Sequence, residues 1–450
     1  MASPHGIAEI VDNRRARDAI SSTELTTTFL ERIALHNPTL NAVWEVFAES
    51  ALMQAARVDR ARATGRRLPL DGLPMLIKDN VDIGGHTTSL GAGPAIAQRP
   101  ERDAAAVDAL RRGGAVVLGK AAMYALAFGA TSDNEHFGPV RNPWSLDRMA
   151  GGSSGGSGAA VAADLCVAAV GTDTGGSIRI PAALCGVVGL RPTFGIVPTE
   201  GAHATSRSLD TIGPFARSAA DVSDVLATLL GRPLETLAPN ARGLRIGIAR
   251  GQFFEGVDPG VADAVHDALY VLRGAGARLL DIEINGAEAA RAACSTVMHV
   301  EALAEHEIRL AAHPSAYGEA VRRRLDVGRS ITAPDYARAL HSQADWMRYV
   351  AALFDRVDVI ATPTVPQVAP RFEGAEMIST TAALVRLTHP WSYAGVPAVS
   401  IPCGFSDGLP VGLQLVARPD EDQRLLAVAV AYQSVTDYHR RRPSALREDP

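Results

Sequence analysis

Residues Gly151 to Gly158, GGSSGGSG, run directly into the apolar stretch Ala159-Ala160-Val161-Ala162-Ala163. So short a run is no linker; its glycines read as a loop that feeds the N-terminus of a buried helix. A strand is predicted next, over Val167 to Gly171, and it leads into a second glycine loop, Asp173-Thr174-Gly175-Gly176-Ser177. Loop, buried helix, strand and loop in immediate succession confine this part of the chain to an α/β core.

With Leu76-Ile77-Lys78, the two loops read as one catalytic centre. Of 44 lysines and arginines, only Lys78 and Lys120 are lysines. Arginine stays protonated in proteins, whereas a lysine among apolar neighbours can lose its proton and act as a base. Lys78 follows the apolar run Pro74-Met75-Leu76-Ile77, which suits that role; Lys120 has no comparable signal. Other readings of the glycine loop fail. The phosphate-loop pattern needs lysine where Ser157 stands, and GxGxxG is absent. Gly151-x-Ser153-x-Gly155 matches the GxSxG nucleophile elbow, but the elbow must follow a strand and Asn142 to Arg148 reads as a proline-containing loop. Asp358 and His389 occur in the order that reading would need. Neither lysine has a serine three residues before it, which excludes the SxxK pattern.

A 450-residue chain with 47% hydrophobic and 5% aromatic residues can bury a large aliphatic core. Net charge −5 and a pI near 6.2 give no basic field for nucleic acid or an anionic membrane. Cys166, Cys185, Cys294 and Cys403 are too scattered for a disulfide framework or a zinc site. Met1 to Arg17 lacks the apolar stretch of a signal peptide and no run of eighteen apolar residues occurs, so a cytoplasmic location is expected. His299, Glu301, Glu305 and His306 do not form HExxH and read as a solvated helix face; no metal is expected.

Ser21-x-x-Glu24 predicts a capped helix through Leu25, Phe29, Leu30 and Ile33 that stops near Asn37-Pro38. Further helices are predicted over Arg102–Arg112, Val261–Leu272 and Leu425–Val435, and strands over Ala115–Leu118, Leu244–Ala249, Ala277–Ile284 and Val357–Ala361. Val399–Cys403 and Val411–Val416 flank Ser406-Asp407-Gly408 as a hairpin. No linker or repeat divides the chain. One α/β domain is expected, with N-terminal helices over 1–65, the glycine-loop core over 66–230, a variable, partly helical region over 231–340 and a return to the core over 341–450. Segments 200–212 and 288–342 are candidate lids.

The order Lys78, Gly151-Gly152-Ser153-Ser154, Asp173-Thr174-Gly175-Gly176-Ser177 resembles the amidase signature family, and the spacing of the three segments is similar. Gly138 to Trp144, Cys185 to Thr193 and Leu409 to Leu415 extend the resemblance over most of the chain outside roughly 231–340. It implies a single large mixed β-sheet covered by helices on both faces, with no cofactor. It also implies Ser177 as acylated nucleophile, Ser153 as proton relay joined to Gly152 by a cis peptide, and Lys78 as base. A serine hydroxyl needs such a base within hydrogen-bond reach, and a hydroxyl that both donates and accepts can relay a proton to the departing amine. The N–H groups of Thr174, Gly175, Gly176 and Ser177 are expected to form the oxyanion hole, with Asp173 and Arg179 bracing the loop. Ser154, like Ser157, is expected to cap the following helix.

Relatives hydrolyse fatty acid amides, aryl acylamides, indoleacetamide, peptide amides and carbamates, or release ammonia from glutamine as the glutaminase subunit of a tRNA amidotransferase. Trp391 and Tyr393 suggest a pocket for an apolar or aromatic acyl group, and Val385 stands roughly where the amidotransferase pattern carries an acid. Tyr124, Gly129, Thr131 and Ser132 are expected to line the acyl side. His203 to Arg207 is expected to form a mobile, neutral-tipped loop at the mouth. The sequence thus points to an uncharged apolar or aromatic amide, aryl ester or carbamate as substrate for a monomer or homodimer, with the glutaminase subunit as alternative.

Overall fold

The computed structural model describes residues 7–12, 14–234 and 241–444, with side chains of 14 and 15 left aside. Eleven strands form one mixed sheet in the order Val43–Val46, Val116–Ala121, Pro74–Lys78, Ala168–Asp173, Thr211–Ala216, Val188–Arg191, Ala398–Ser406, Leu409–Val416, Val359–Pro363, Arg245–Ala249, Arg278–Ile282. Pro74–Lys78 lies parallel to both neighbours, whereas the strands from Thr211–Ala216 to Val359–Pro363 pair antiparallel. Alternation along a strand places successive side chains on opposite faces. Val359 and Ala361 accordingly enter one apolar core, and Ile360 enters another.

The first core holds the helices Ser22–Leu40, Ala219–Leu229, Pro259–Gly274 and Asp422–Ser434 against the sheet. The second holds Ala287–Ala312, Glu319–Ser330, Ala333–Leu353 and the short His389–Tyr393 helix. Among the described residues, no helix is long and apolar enough to cross a membrane.

Local signals place most elements. Ser21 Oγ accepts from Glu24 N–H at 3.0 Å and caps Ser22–Leu40. That helix runs past its expected stop, with Pro38 inside it, and ends at Asn41 in the left-handed region (φ 53°). Asn37 Oδ1 accepts from the N–H groups of Ala42 and Val43, both at 2.8 Å, which secures the exit. Residues Asn142 to Arg148 are not all loop: Arg141–Asn142 and Ser145–Met149 pair as a small antiparallel hairpin. The segment 288–342 is helical, as expected.

Candidate active site

The base, relay and nucleophile expected from sequence stand at the ends of adjacent structure. Lys78 closes the strand Pro74–Lys78, Ser153 precedes the buried helix Gly155–Ala162, and Ser177 follows the strand Ala168–Asp173. Lys78 Nζ lies 2.7 Å from Ser153 Oγ and 2.7 Å from Thr172 Oγ1. Ser154 N–H donates to the Ser177 carbonyl at 3.2 Å, which ties the two glycine loops together. The Gly152–Ser153 peptide is cis. Lys78 and Ser153 are fully buried and Ser177 is 8% exposed, the most accessible of the three.

Burial lowers the Lys78 amine from its ordinary 10.5 to about 7, against the charges of Asp210 and Asp173, which pull it back up. A neutral amine keeps one lone pair. Thr172 Oγ1 accepts from Asn80 Nδ2 at 3.2 Å and from Lys78 Nζ, and so holds the amine beside Ser153 Oγ.

Asp173 is fully buried and shapes the nucleophile loop. Its Oδ1 accepts from Gly176 N–H at 2.8 Å and its Oδ2 from Ile178 N–H at 3.2 Å. Arg179 makes two bonds to this carboxylate, each at 3.0 Å, and continues to Gln414 Oε1 (2.8 Å) and Ser392 Oγ (2.7 Å). Arg191 adds a contact at 3.3 Å. Burial alone would raise the Asp173 carboxyl, but the two arginines and the Ile178 N–H outweigh it and hold it far below the usual carboxylate range. The pair that could have been a surface ion pair is therefore an internal brace.

Several expectations need correction. Gly176 N–H, one of the four expected oxyanion donors, donates to Asp173 Oδ1. Ser154 and Ser157 do not cap the helix through their side chains: Ser154 Oγ bridges to Thr172 O (3.2 Å) and Ser157 Oγ to Val170 O (3.1 Å), stitching helix to strand. Trp391 and Tyr393 are fully buried in the second core; Trp391 stacks on Phe253 at 5.2 Å and the Tyr393 hydroxyl is bonded to Ala339 O and Ser342. Their rings are packing, not the wall of an open pocket. At the mouth loop, Arg207 pairs with Glu305 through two contacts, at 2.5 and 3.1 Å.

The residues expected on the acyl side lie beside the loops. Tyr124 N–H donates to Ser153 O at 3.0 Å, and a Cβ on Gly129 would collide with the Tyr124 ring. Thr131 and Ser132 are buried with unpaired hydroxyl oxygens, and a Cβ on Gly155 would collide with Ser132 Oγ.

Two further groups complete this region: His389, which the sequence offered only for the elbow reading, and Arg324. His389 Nε2 has no hydrogen-bond partner and occupies the space that a Cβ on Gly175 would need. Burial, reinforced by the charges of Arg291, Arg324 and Arg179, pushes His389 down to about 3. Arg324 sits 4.4 Å above the Phe128 ring and is 9% exposed; its Nε is unpaired, and no carboxylate pairs with it among the described residues. The suggestive quartet on the helix Ala287–Ala312 is neither a metal site nor a solvated face. His299 packs edge-on to Phe128, Glu301 and Glu305 bind the mouth loop, and His306 is buried against Tyr317. The elbow reading also falls, since Ser153 Oγ meets Lys78 while Asp358 pairs with Arg245.

The amidase family profile matches residues 24–426. A glutamyl-tRNA(Gln) amidotransferase subunit of Roseiflexus castenholzii is 40% identical over 96% of each chain. A chain of the inhibitor-bound vestigial complex that bears on the origins of an s-triazine catabolic enzyme superposes with a TM-score of 0.88 at 32% identity, covering 96% of this chain and 98% of that one. The peptide amidase of Stenotrophomonas maltophilia gives 0.82 at 31%, over 98% of both. Profile, sequence and fold agree over nearly the whole length, and the chain belongs to the amidase signature family.

Proposed function

We propose that this chain hydrolyses the C–N bond of a small amide that carries a carboxylate, with glutamine as the first candidate and a role as ammonia-releasing subunit of an amidotransferase as its setting. The observation that carries the substrate class is Arg324, buried beside Phe128 and Tyr124 without a counter-ion. An unpaired buried guanidinium is costly, and an anionic substrate would remove that cost. Arg324 is also among the positive charges that act on the buried His389, next to Gly175. The 40% identity to the Roseiflexus protein supports the setting.

In this mechanism, neutral Lys78 takes the proton of Ser153 as Ser153 takes that of Ser177, and Ser177 Oγ bonds to the amide carbon. Negative charge on the former carbonyl oxygen faces the N–H groups of Thr174, Gly175 and Ser177; loss of one such donor typically costs about 3 kcal/mol. The proton held by Lys78 returns through Ser153 to the amide nitrogen, the C–N bond breaks and ammonia or an amine leaves. Water then attacks the acyl-Ser177 ester by the reverse relay, releasing the acid and restoring both hydroxyls.

A second reading, cleavage of uncharged aryl amides, esters and urethanes, is favoured by the apolar wall of Phe128 and Tyr124. One panel separates the two: glutamine and other carboxylate-bearing amides against nitroanilides, nitrophenyl esters and aryl carbamates, for wild type, Ser177→Ala and Arg324→Met. Ser177→Ala should abolish every activity. Arg324→Met should raise KM for the anionic amides by roughly 30-fold or more, the loss expected when one partner of a buried charge pair is removed, and leave neutral substrates unchanged. Efficient turnover of neutral aryl substrates alone, untouched by Arg324→Met, would favour the second reading. Glutamine turnover that requires a second protein would favour the amidotransferase role.

A further inference from the structure

The two lysines of this chain lie on neighbouring parallel strands, Lys78 at the end of Pro74–Lys78 and Lys120 on Val116–Ala121, with Ile77 beside Lys120 and Lys78 beside Ala121. Their partners differ in kind. Lys78 Nζ meets two hydroxyl oxygens, of Ser153 and Thr172. Lys120 is 1% exposed and its Nζ meets three oxygens: Val81 O at 2.7 Å, Asp79 Oδ1 at 3.1 Å and Thr88 Oγ1 at 3.3 Å. Thr88 spends its own hydrogen on Asp82 Oδ1 at 2.8 Å, so its oxygen is left to accept. The three donors of an ammonium match these three acceptors, a fit that a planar guanidinium does not reproduce. Asp79 is enclosed in turn: its Oδ2 accepts from Ser89 N–H at 3.1 Å and from the Ser89 hydroxyl.

What Lys120 holds is the turn that begins at Lys78. Val81 N–H donates back to Lys78 O at 3.0 Å, and Asp79 N–H donates to Ala121 O at 3.1 Å. Between Asp79 and Val81, Asn80 reaches Thr172 Oγ1, the second partner of Lys78 Nζ. The Lys78 backbone and one of its two side-chain partners therefore depend on a turn in which both neighbours of Asn80 are bonded to a single ammonium.

We propose that Lys120 is a positioning residue for the reaction: through Asp79 and Val81 it fixes the turn that follows Lys78, and so sets the reach of Lys78 Nζ to Ser153 Oγ. This rests on the reading of Ser177, Ser153 and Lys78 as the reacting groups. Without the tether, Lys78 can withdraw from Ser153 and Asn80 from Thr172 together, while strand pairing keeps the sheet. A purely structural Lys120 would instead cost stability and leave the reactivity of the folded protein as it was.

The test needs no substrate. The rate constant for labelling Ser177 with a fluorophosphonate is measured per folded protein at pH 9, above the value of about 7 at which Lys78 gives up its proton, with the labelled residue identified by mass spectrometry. Lys120→Met alone leaves Asp79 buried without its cation, so Lys120→Met/Asp79→Asn is measured beside it; the double change removes both charges and keeps an oxygen for Ser89. Both proteins are expected to label about 10²-fold more slowly than wild type, the loss that a displacement near 1 Å brings. The same changes are then made in a Lys78→Ala background, where no amine is left to place and the residual rate should move by no more than about twofold. A wild-type rate in Lys120→Met/Asp79→Asn overturns the proposal, and so does an equal loss in both backgrounds, which would mean general damage to the site. Wild-type labelling in Lys78→Ala overturns the reading of the base itself, and absence of labelling at Ser177 in wild type that of the nucleophile, both distinct failures.

Discussion

At the scale of single residues, Lys78 is asked to be buried and basic at once, and the two demands leave separate signatures. Because burial brings its amine to about 7, labelling or turnover should rise with pH through about 7 and then level off. Lys78→Arg should lose at least about 10³-fold, since a guanidinium stays protonated. The same burial makes Lys78 a burden on the fold. Its native value lies below the unfolded value of 10.5, so the unfolded chain binds a proton that the folded chain refuses, and the cost grows as pH falls from 10.5 to about 7 and is constant below. Lys78→Met should thus be inactive yet more stable in urea by roughly 1–3 kcal/mol at pH 7, with the gain gone by pH 10.5. Lys78, Ser153 and Ser177 could be picked out of the sequence because two glycine loops form local patterns and the chain holds only two lysines, one of them after an apolar run. Thr172, 94 residues from Lys78, and Arg324 were not, since each acts through a contact that no spacing announces. Trp391 and Tyr393 misled because an aromatic pair reads alike whether it fills a core or lines a cleft.

At the scale of elements, the nucleophile loop is shaped by what crowds it. Gly175 faces His389 Nε2, and Gly176, at φ +134°, faces Thr388 Oγ1, whose hydroxyl donates to Gly175 O at 2.6 Å. Gly175→Ala would drive its Cβ into His389 Nε2, so the loop must shift; a displacement near 1 Å at the oxyanion donors should slow Ser177 labelling about 10²-fold. The brace behind the loop predicts an effect on stability. Arg179 joins Asp173 to the short helix His389–Tyr393 through Ser392 and to the strand Leu409–Val416 through Gln414. Arg179→Met removes one partner of a buried pair and should cost about 3–5 kcal/mol in urea titrations. The alternation of strands and helices, and the hairpin at 398–416, could be read from apolar runs with glycine between them. The hairpin at 141–149 could not, because its register holds only two residue pairs around Pro143-Trp144, too few for a periodicity to show.

At the scale of the whole molecule, distant parts of the chain are drawn to the helix that carries the relay at its N-terminus. Asp164, just beyond the helix Gly155–Ala162, takes Arg217 Nε at 2.6 Å and Arg442 Nε at 2.8 Å. Arg442 also makes two contacts of 2.9 Å with Asp12. This clasp sits at one end of the helix and Ser153 at the other, about 12 Å apart for eight residues at 1.5 Å each. Every residue of that helix is buried, so it moves as a rigid piece or not at all. Arg442→Ala leaves Asp164 with Arg217 and loses the Asp12 contacts, which should lower the urea-derived stability by roughly 1–3 kcal/mol, the range for hydrogen bonds to charged groups. The pH profile of Ser177 labelling should stay as in wild type, because the Lys78–Ser153 contact is fixed from the sheet by Thr172 and Asn80, not from the clasp. A labelling rate that fell together with stability under native conditions would mean that the helix carries displacement from the clasp to the relay, and that the alignment of Ser153 depends on contacts at the far end of its helix as well as on the glycine loops.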